Sequence, residues 1–202
     1  SGVIEWVRKH FYRSTAGSAE AYRQMVIDAE KVQPGADGVT LLPSFVGGTG
    51  PTKKYGTLGT ILGLTLNTDR GHLSRAAFEA LSFQLRHALD ILSEATGFQA
   101  EGIRVVGGGA KNDLWNKIRA DVTGLPVRTM LLKEQREATS IGAAIFAFIG
   151  AGVFKSLEEA QTNFAKKEAV FNPTTRRTTY DDLYRKHLQL PLALKAFYAP
   201  VH

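Results

Sequence analysis

Residues 103–127 read "IRVVGGGAKNDLWNKIRADVTGLPV". Ile103 to Val106, apolar or long side chains, run straight into Gly107, Gly108 and Gly109. A helical segment over 112–123 follows and closes on Gly124-Leu125-Pro126, and "VRTML" then reads as a second strand. Strand, turn, helix and strand in this order predict an α/β fold with parallel pairing. Ligands of open α/β sheets bind at the carboxyl ends of strands. Missing side chains let a flat or charged group lie against the backbone, and the next helix offers unpaired N–H groups. The turn therefore suits a nucleotide. It is no P-loop, because no Gly-Lys-Ser/Thr follows. Nor is it a dinucleotide fingerprint, because Asn112 stands near the position of the third glycine. Taken alone, the three glycines fit a tight connection without ligand equally well.

The pattern extends on both sides. Residues 3–13 have apolar side chains near helical spacing, and a second helix is predicted from an N-cap at Ser18 to about Val32. "QPGADG" breaks it. "VTLLPSF" and "TILGLTL" read as short strands around a glycine-rich polar loop. The longest helical pattern ends at Gly97, with an apolar face from Leu73 through Ala76, Ala77, Ala80, Leu81, Leu85 and Leu89 to Leu92. The strand before the turn is expected to span 103–107 and to be central. Ile141 to Val153 reads as a buried helix. Ser156 and Glu159 form a capping box, and the last helix should bend or break near Pro191.

The 202 residues, 44% of them hydrophobic, suffice for one domain with a real core. No run approaches the ~18 apolar residues of a membrane span. The N-terminus has no secretory pattern, so cytoplasm is the default expectation and no membrane partner is expected. Cysteine is absent, which excludes disulfides and thiolate metal sites. The net charge of +6 raises nucleic acid as a partner. The basic residues are scattered, however, in small clusters such as Lys53-Lys54, Lys166-Lys167 and Arg176-Arg177, without interleaved aromatics. They read as solvated surface, and no nucleic acid is expected.

A second stretch, "GTILGLTLNTDRGHLSRAAFE" over 59–79, adds a resemblance. Gly59, Ile61, Gly63, Leu64, His72, Leu73, Ala76, Ala77, Phe78 and Glu79 match the C-terminal signature of the FGGY family of carbohydrate kinases. "GGGAKNDLWNKIRADVTGLPV" resembles that family's adenosine-binding segment, and "EATSIGAAIFAFIGAGVF" its following helix. "SGVIEWVRKHF", "PGADGV" and "LTLNTDRGH" resemble one sugar-specific branch of it. The resemblance implies a ribonuclease-H-like (actin-like ATPase) α/β domain whose first antiparallel strands lie outside this chain. Residues 1–160 would be the family-like core and 161–202 a C-terminal helical extension.

The same resemblance implies phosphoryl transfer from MgATP to a sugar hydroxyl, which needs positioning, charge neutralisation and a carboxylate base. The family's catalytic aspartate, its phosphate-cradling Gly-Thr hairpin and most sugar contacts belong to segments upstream of Ser1. No catalytic residue is therefore assigned here, and the chain by itself is expected to be inactive. Magnesium would be held mainly by the phosphates and by the N-terminal part. Gly108, Gly109 and Ala110 would pack against the adenosine, with Asn112 on its edge, a role compatible with capping the helix. Ser1 and Glu5 match positions that touch the nucleotide from the opposite wall. A sheet that has lost neighbours predicts self-association, through strand 103–107 or the apolar faces of the first helices.

Other candidates read as structural. His72 and Glu79 share a helix face, but no third metal ligand is evident. His72 should anchor the helix start and Glu79 make a buried polar contact. Asp181-Asp182 read as acids at a helix start. Lys53 and Lys54 sit in a loop that reads as surface. Trp6 and Trp115 read as core.

Overall fold

The computed structural model describes residues 1–13, 17–46, 55–130, 138–164 and 168–198. The Lys53-Lys54 and Lys166-Lys167 pairs lie outside the described residues. Among the described residues seven α-helices and five strands follow in the order α1 (Gly2–Phe11), α2 (Ser18–Glu30), β1 (Thr40–Leu42), β2 (Thr60–Leu62), α3 (Arg70–Thr96), β3 (Ile103–Val105), α4 (Asp113–Thr123), β4 (Val127–Met130), α5 (Ala138–Gly150), α6 (Leu157–Phe164), β5 (Glu168–Phe171) and α7 (Arg177–Leu194). β1 and β2 pair antiparallel, with Thr40 opposite Leu62. The other sheet has the order β3-β4-β5, parallel between β3 and β4 and antiparallel between β4 and β5.

The first half of α3 is the axis of the core. Asp69 caps it by accepting the Gly71 and His72 N–H groups at 2.8 and 3.2 Å, and Gly97 ends it in the left-handed conformation. Leu73, Ala76, Ala77, Phe78, Ala80 and Phe83 are buried against α1, α2, α4 and β1. The apolar face does not last the full length: Leu92 is exposed, because α3 outruns its neighbours. β2 ends where the chain passes β1's entry. A Cβ on Gly63 would stand 2.2 Å from the Gly38 carbonyl oxygen, so a side chain is excluded there.

Glu79 is buried and binds three elements together. Its carboxylate accepts from Arg75 Nε at 2.7 Å, from the Gly35 N–H at 3.1 Å and from the Tyr180 hydroxyl of α7 at 3.1 Å. Burial pushes this carboxyl upward from the usual range, with the Arg75 guanidinium pulling the other way. The buried polar contact expected of Glu79 is thus observed. His72 reaches Asp69 and Asp37 at 2.7 and 3.1 Å and anchors the helix start.

Several expectations are corrected. Ser18 lies inside α2, and Gly17 holds the cap position. β3 stops at Val105 and is an edge strand among the described residues, not a central one. Helix α5 is not buried: Ile145 is, but Phe146 and Phe148 are 69% and 41% exposed, because α5 packs chiefly against α6. Helix α7 runs through Pro191 without ending. It forfeits an internal hydrogen bond there, and the proline ring is buried instead. Asp181 lies a turn inside α7 and pairs with Arg86 of α3 at 2.5 Å. Segment 161–202 is not only helical, since β5 completes the second sheet and Tyr180 and Tyr184 enter the core. Ser156 caps α6 as expected, its Oγ accepting the Glu159 N–H at 3.2 Å, but the Glu159 carboxylate accepts the Lys155 N–H at 2.7 Å and not that of Ser156, so the box is only half formed.

Candidate functional site

The glycine turn follows the carboxyl end of a strand that pairs in parallel, and a helix leads away from it. Gly107 takes a positive φ of 79°, a conformation that favours glycine, and Gly108–Lys111 then form a single 3-10 turn. Trp115 donates its backbone N–H to Asn112 Oδ1 at 2.9 Å, so Asn112 is the N-cap of α4. The Asn112 amide nitrogen makes no hydrogen bond among the described residues.

The two sides of the turn differ. On the front, a Cβ added at Gly107 or Gly108 would meet nothing within 4 Å. On the back, a Cβ at Gly109 would stand 3.3 Å from both Trp115 Cζ3 and Arg119 Nη2. A side chain at Gly109 would therefore press on the α4 side chains beneath it. Asn116, fully buried, donates from Nδ2 to the Ala110 carbonyl at 2.9 Å. Arg119 donates from Nη1 to Asn116 Oδ1 at 2.7 Å and to the Gly109 carbonyl at 3.4 Å. Its guanidinium carbon lies 3.7 Å from the Trp115 ring centroid. Burial lowers the Arg119 pKa to about 10, and no carboxylate among the described residues offsets the desolvation. Trp115 is tied in turn to α3 through Nε1 and Ser82 Oγ at 3.2 Å.

The residues expected at the site fall into two groups. Gly108, Gly109, Ala110 and Asn112 are contiguous in the turn and the cap. Glu5 lies on α1 and Ser1 at its N-cap, and α1 packs against α3 and α2. Glu5 already receives Arg8 at 2.6 and 2.9 Å and the Tyr22 hydroxyl at 2.5 Å, and these bonds hold its carboxyl down at about 2. No hydrogen bond or ion pair joins Ser1 or Glu5 to the turn among the described residues. Asn116 and Arg119 were missed in the sequence. Their signal is their spacing: 112, 116 and 119 follow i, i+4, i+7, so three polar side chains share one helix face directly behind the glycines. Among the described residues no group of three or more acidic, histidine or cysteine side chains is gathered to hold a metal ion, and no helix is long and apolar enough to cross a membrane.

The mixed α/β domain has the fold of the sugar kinases with an actin-like ATPase architecture. The chain belongs to the FGGY family of carbohydrate kinases: the model of the family's C-terminal domain matches residues 1–151. It is 39% identical over 176 residues to an L-fuculokinase of Escherichia coli K12, covering 87% of this chain and 34% of that protein. Its structure is similar to xylulose kinase from Rhodospirillum rubrum, with a TM-score of 0.78, 27% identity and coverage of 98% of this chain and 39% of that one. It is also similar to Plasmodium falciparum glycerol kinase with ADP, with a TM-score of 0.68, 26% identity and coverage of 84% and 34%. The chain thus spans about a third of the length of the curated relatives it matches.

Proposed function

We propose that these 202 residues form the nucleotide-binding part of an ATP-dependent sugar kinase, with L-fuculose or a close relative as its sugar. The observation that carries the reading is the two-sided glycine turn, whose carbonyls are held inward by α4 while Gly107 and Gly108 stay open in front. Adenosine would lie on that open face, with the Asn112 amide free to hydrogen-bond its edge. A relative with a matching fold is described with ADP, which supports a nucleotide here. The L-fuculose assignment rests on the identity to L-fuculokinase and on the segments "SGVIEWVRKHF", "PGADGV" and "LTLNTDRGH", which resemble that enzyme. Similarity to xylulose kinases supports xylulose as the second reading. Ser1 and Glu5 would complete the nucleotide site from α1 only if Glu5 exchanged its Arg8 and Tyr22 partners.

Phosphoryl transfer depends on positioning and on a carboxylate base. We assign no residue of this chain to that base, so the chain alone should show background turnover with L-fuculose and MgATP in a coupled ADP assay. Calorimetric titration should show weak binding of AMP and ATP, with affinities within about tenfold of each other. Asn112→Ala should weaken both. Clear turnover, or ATP binding far more tightly than AMP, would place a triphosphate cradle or the base within these residues and overturn the reading.

A further inference from the structure

The chain itself occupies the back of the glycine turn and leaves the front open. Arg119 brings a full positive charge to that back layer. It is 8% exposed and sits over the Trp115 indole, with Nη2 3.3 Å from where a Gly109 Cβ would stand. The hydrogen bonds it makes end on neutral oxygens, the Gly109 carbonyl and the Asn116 carboxamide. No carboxylate pairs with it among the described residues. A desolvated guanidinium without a counter-ion is costly, and neutral acceptors do not cancel its charge. An anion on the other side of the glycine backbone would, because attraction through a partly desolvated layer acts without direct contact.

We propose that Arg119 is a specificity-determining residue of the turn: its buried charge, acting through the thin backbone of Gly108–Ala110, selects a phosphate-bearing nucleotide over the uncharged nucleoside. This rests on the nucleotide reading of the turn. The absence of a side chain at Gly108 and Gly109 keeps the separation between charge and ligand short. The α4 N-terminus adds partial positive charge, which the Asp113 carboxylate in its first turn opposes.

The test is calorimetric titration of the chain with adenosine and with AMP, at low and at high salt. The unmodified chain should bind AMP at least about tenfold more tightly than adenosine, with salt narrowing the ratio. Arg119→Met should bring the ratio close to one while adenosine affinity stays, and Arg119→Lys should keep it. If Arg119→Met fails to fold by circular dichroism, Arg119→Lys against Arg119→Gln makes the same charge comparison. An equal loss of AMP and adenosine affinity in the charge-deleted variant would show that Arg119 only shapes the turn, and would overturn the proposal. An unmodified chain that binds both ligands equally would overturn it while leaving the nucleotide reading intact. A chain that binds neither would overturn both.

Discussion

Helices α3 and α5 are both rich in alanine and carry phenylalanines, yet they sit in opposite surroundings. On α3, Ala76, Ala77, Phe78 and Ala80 are at most 2% exposed, covered by α1, α2, α4 and β1. On α5, Phe146 and Phe148 face outward, with α6 as the main neighbour. The first region also has a buried polar centre, where Arg75, Glu79, Tyr180 and Gly35 satisfy one another. On the second sheet, by contrast, Arg104 and Glu168 pair at the exposed surface. Apolar composition alone did not decide burial. The number of elements that meet at a helix did, and the stability of the chain should be distributed accordingly.

The largest effect belongs to Glu79. Glu79→Ala leaves the Arg75 guanidinium buried without its partner and the Gly35 N–H without an acceptor. Breaking a buried pair on one side costs about 3–5 kcal/mol. Phe146→Ser, in the other region, should stay within about 0.5 kcal/mol of the unmodified chain, as surface substitutions do. Urea unfolding of both variants measures the contrast, and similar losses would break it.

A second contrast appears with pH. His187 of α7 is buried against Phe83, with ring centroids 5.1 Å apart, and its Nδ1 has no hydrogen-bond partner among the described residues. Burial lowers its pKa to about 4, with His87 acting in the same direction. The folded state therefore favours the neutral ring. Stability from this residue is complete above the ordinary pKa of 6.5 and is lost as pH falls from there towards 4. The loss should approach about 3 kcal/mol. Urea midpoints between pH 7 and pH 4 should fall along this window, and His187→Leu should flatten the fall. An unchanged slope in that variant would assign the acid sensitivity to other groups.

These regions also separate what could be read from sequence. Caps and turns were legible because their chemistry is local: Gly97, Gly124, Ser156 and Asn112 each act within a few residues. The strand-turn-helix order around the glycines was legible for the same reason. The state of α5 was not, since an apolar helix predicts burial but does not name what covers it. Pro191 misled because its penalty is local, whereas the compensation, a buried ring, comes from tertiary packing. Arg119 was invisible as a site residue for a related reason. A basic residue on an amphipathic helix reads as surface until the Trp115 ring and Gly109 are seen to enclose it.

The expected self-association sharpens the comparison from another side. The apolar faces of α1 and α2 are no longer candidates for it, since Val3, Ile4, Val7 and Met25 are buried in the core. The edge of β3 is, together with the outward face of α5. Light scattering over a range of concentrations should show a reversible increase in mass that Phe146→Ser weakens. A strictly monomeric chain would mean that neither surface is sticky enough to associate.

A smaller effect is expected within the Glu79 centre. Tyr180→Phe removes the hydroxyl that accepts from Arg75 Nη2 at 2.6 Å and donates to Glu79 at 3.1 Å, but it leaves the charge pair and the ring packing in place. Hydrogen bonds to charged groups contribute about 1.5–3 kcal/mol, and the lower end applies where both partners keep each other. A urea-measured loss well below that of Glu79→Ala would confirm that the ion pair dominates the centre.

The smallest effect should come from Arg104 and Glu168, whose side chains meet at 2.9 Å across the exposed face of the second sheet. The Arg104 side chain is 63% exposed, so solvent screens the attraction and holding two long side chains in place costs entropy. The sheet register adds an opposing influence, because Arg104 stands directly opposite Arg128 across the β3–β4 pair. Like charges at that spacing repel. Arg104→Ala therefore removes one attraction and one repulsion together, and the net change should lie within about 0.5 kcal/mol of zero. A double-mutant cycle on Arg104 and Glu168 isolates the attraction from the repulsion by Arg128. A coupling above about 1 kcal/mol would exceed what an exposed pair contributes. It would show that this edge is drier and better ordered than its surface position implies, and the contrast between the two regions would then shrink to the difference between α3 and α5.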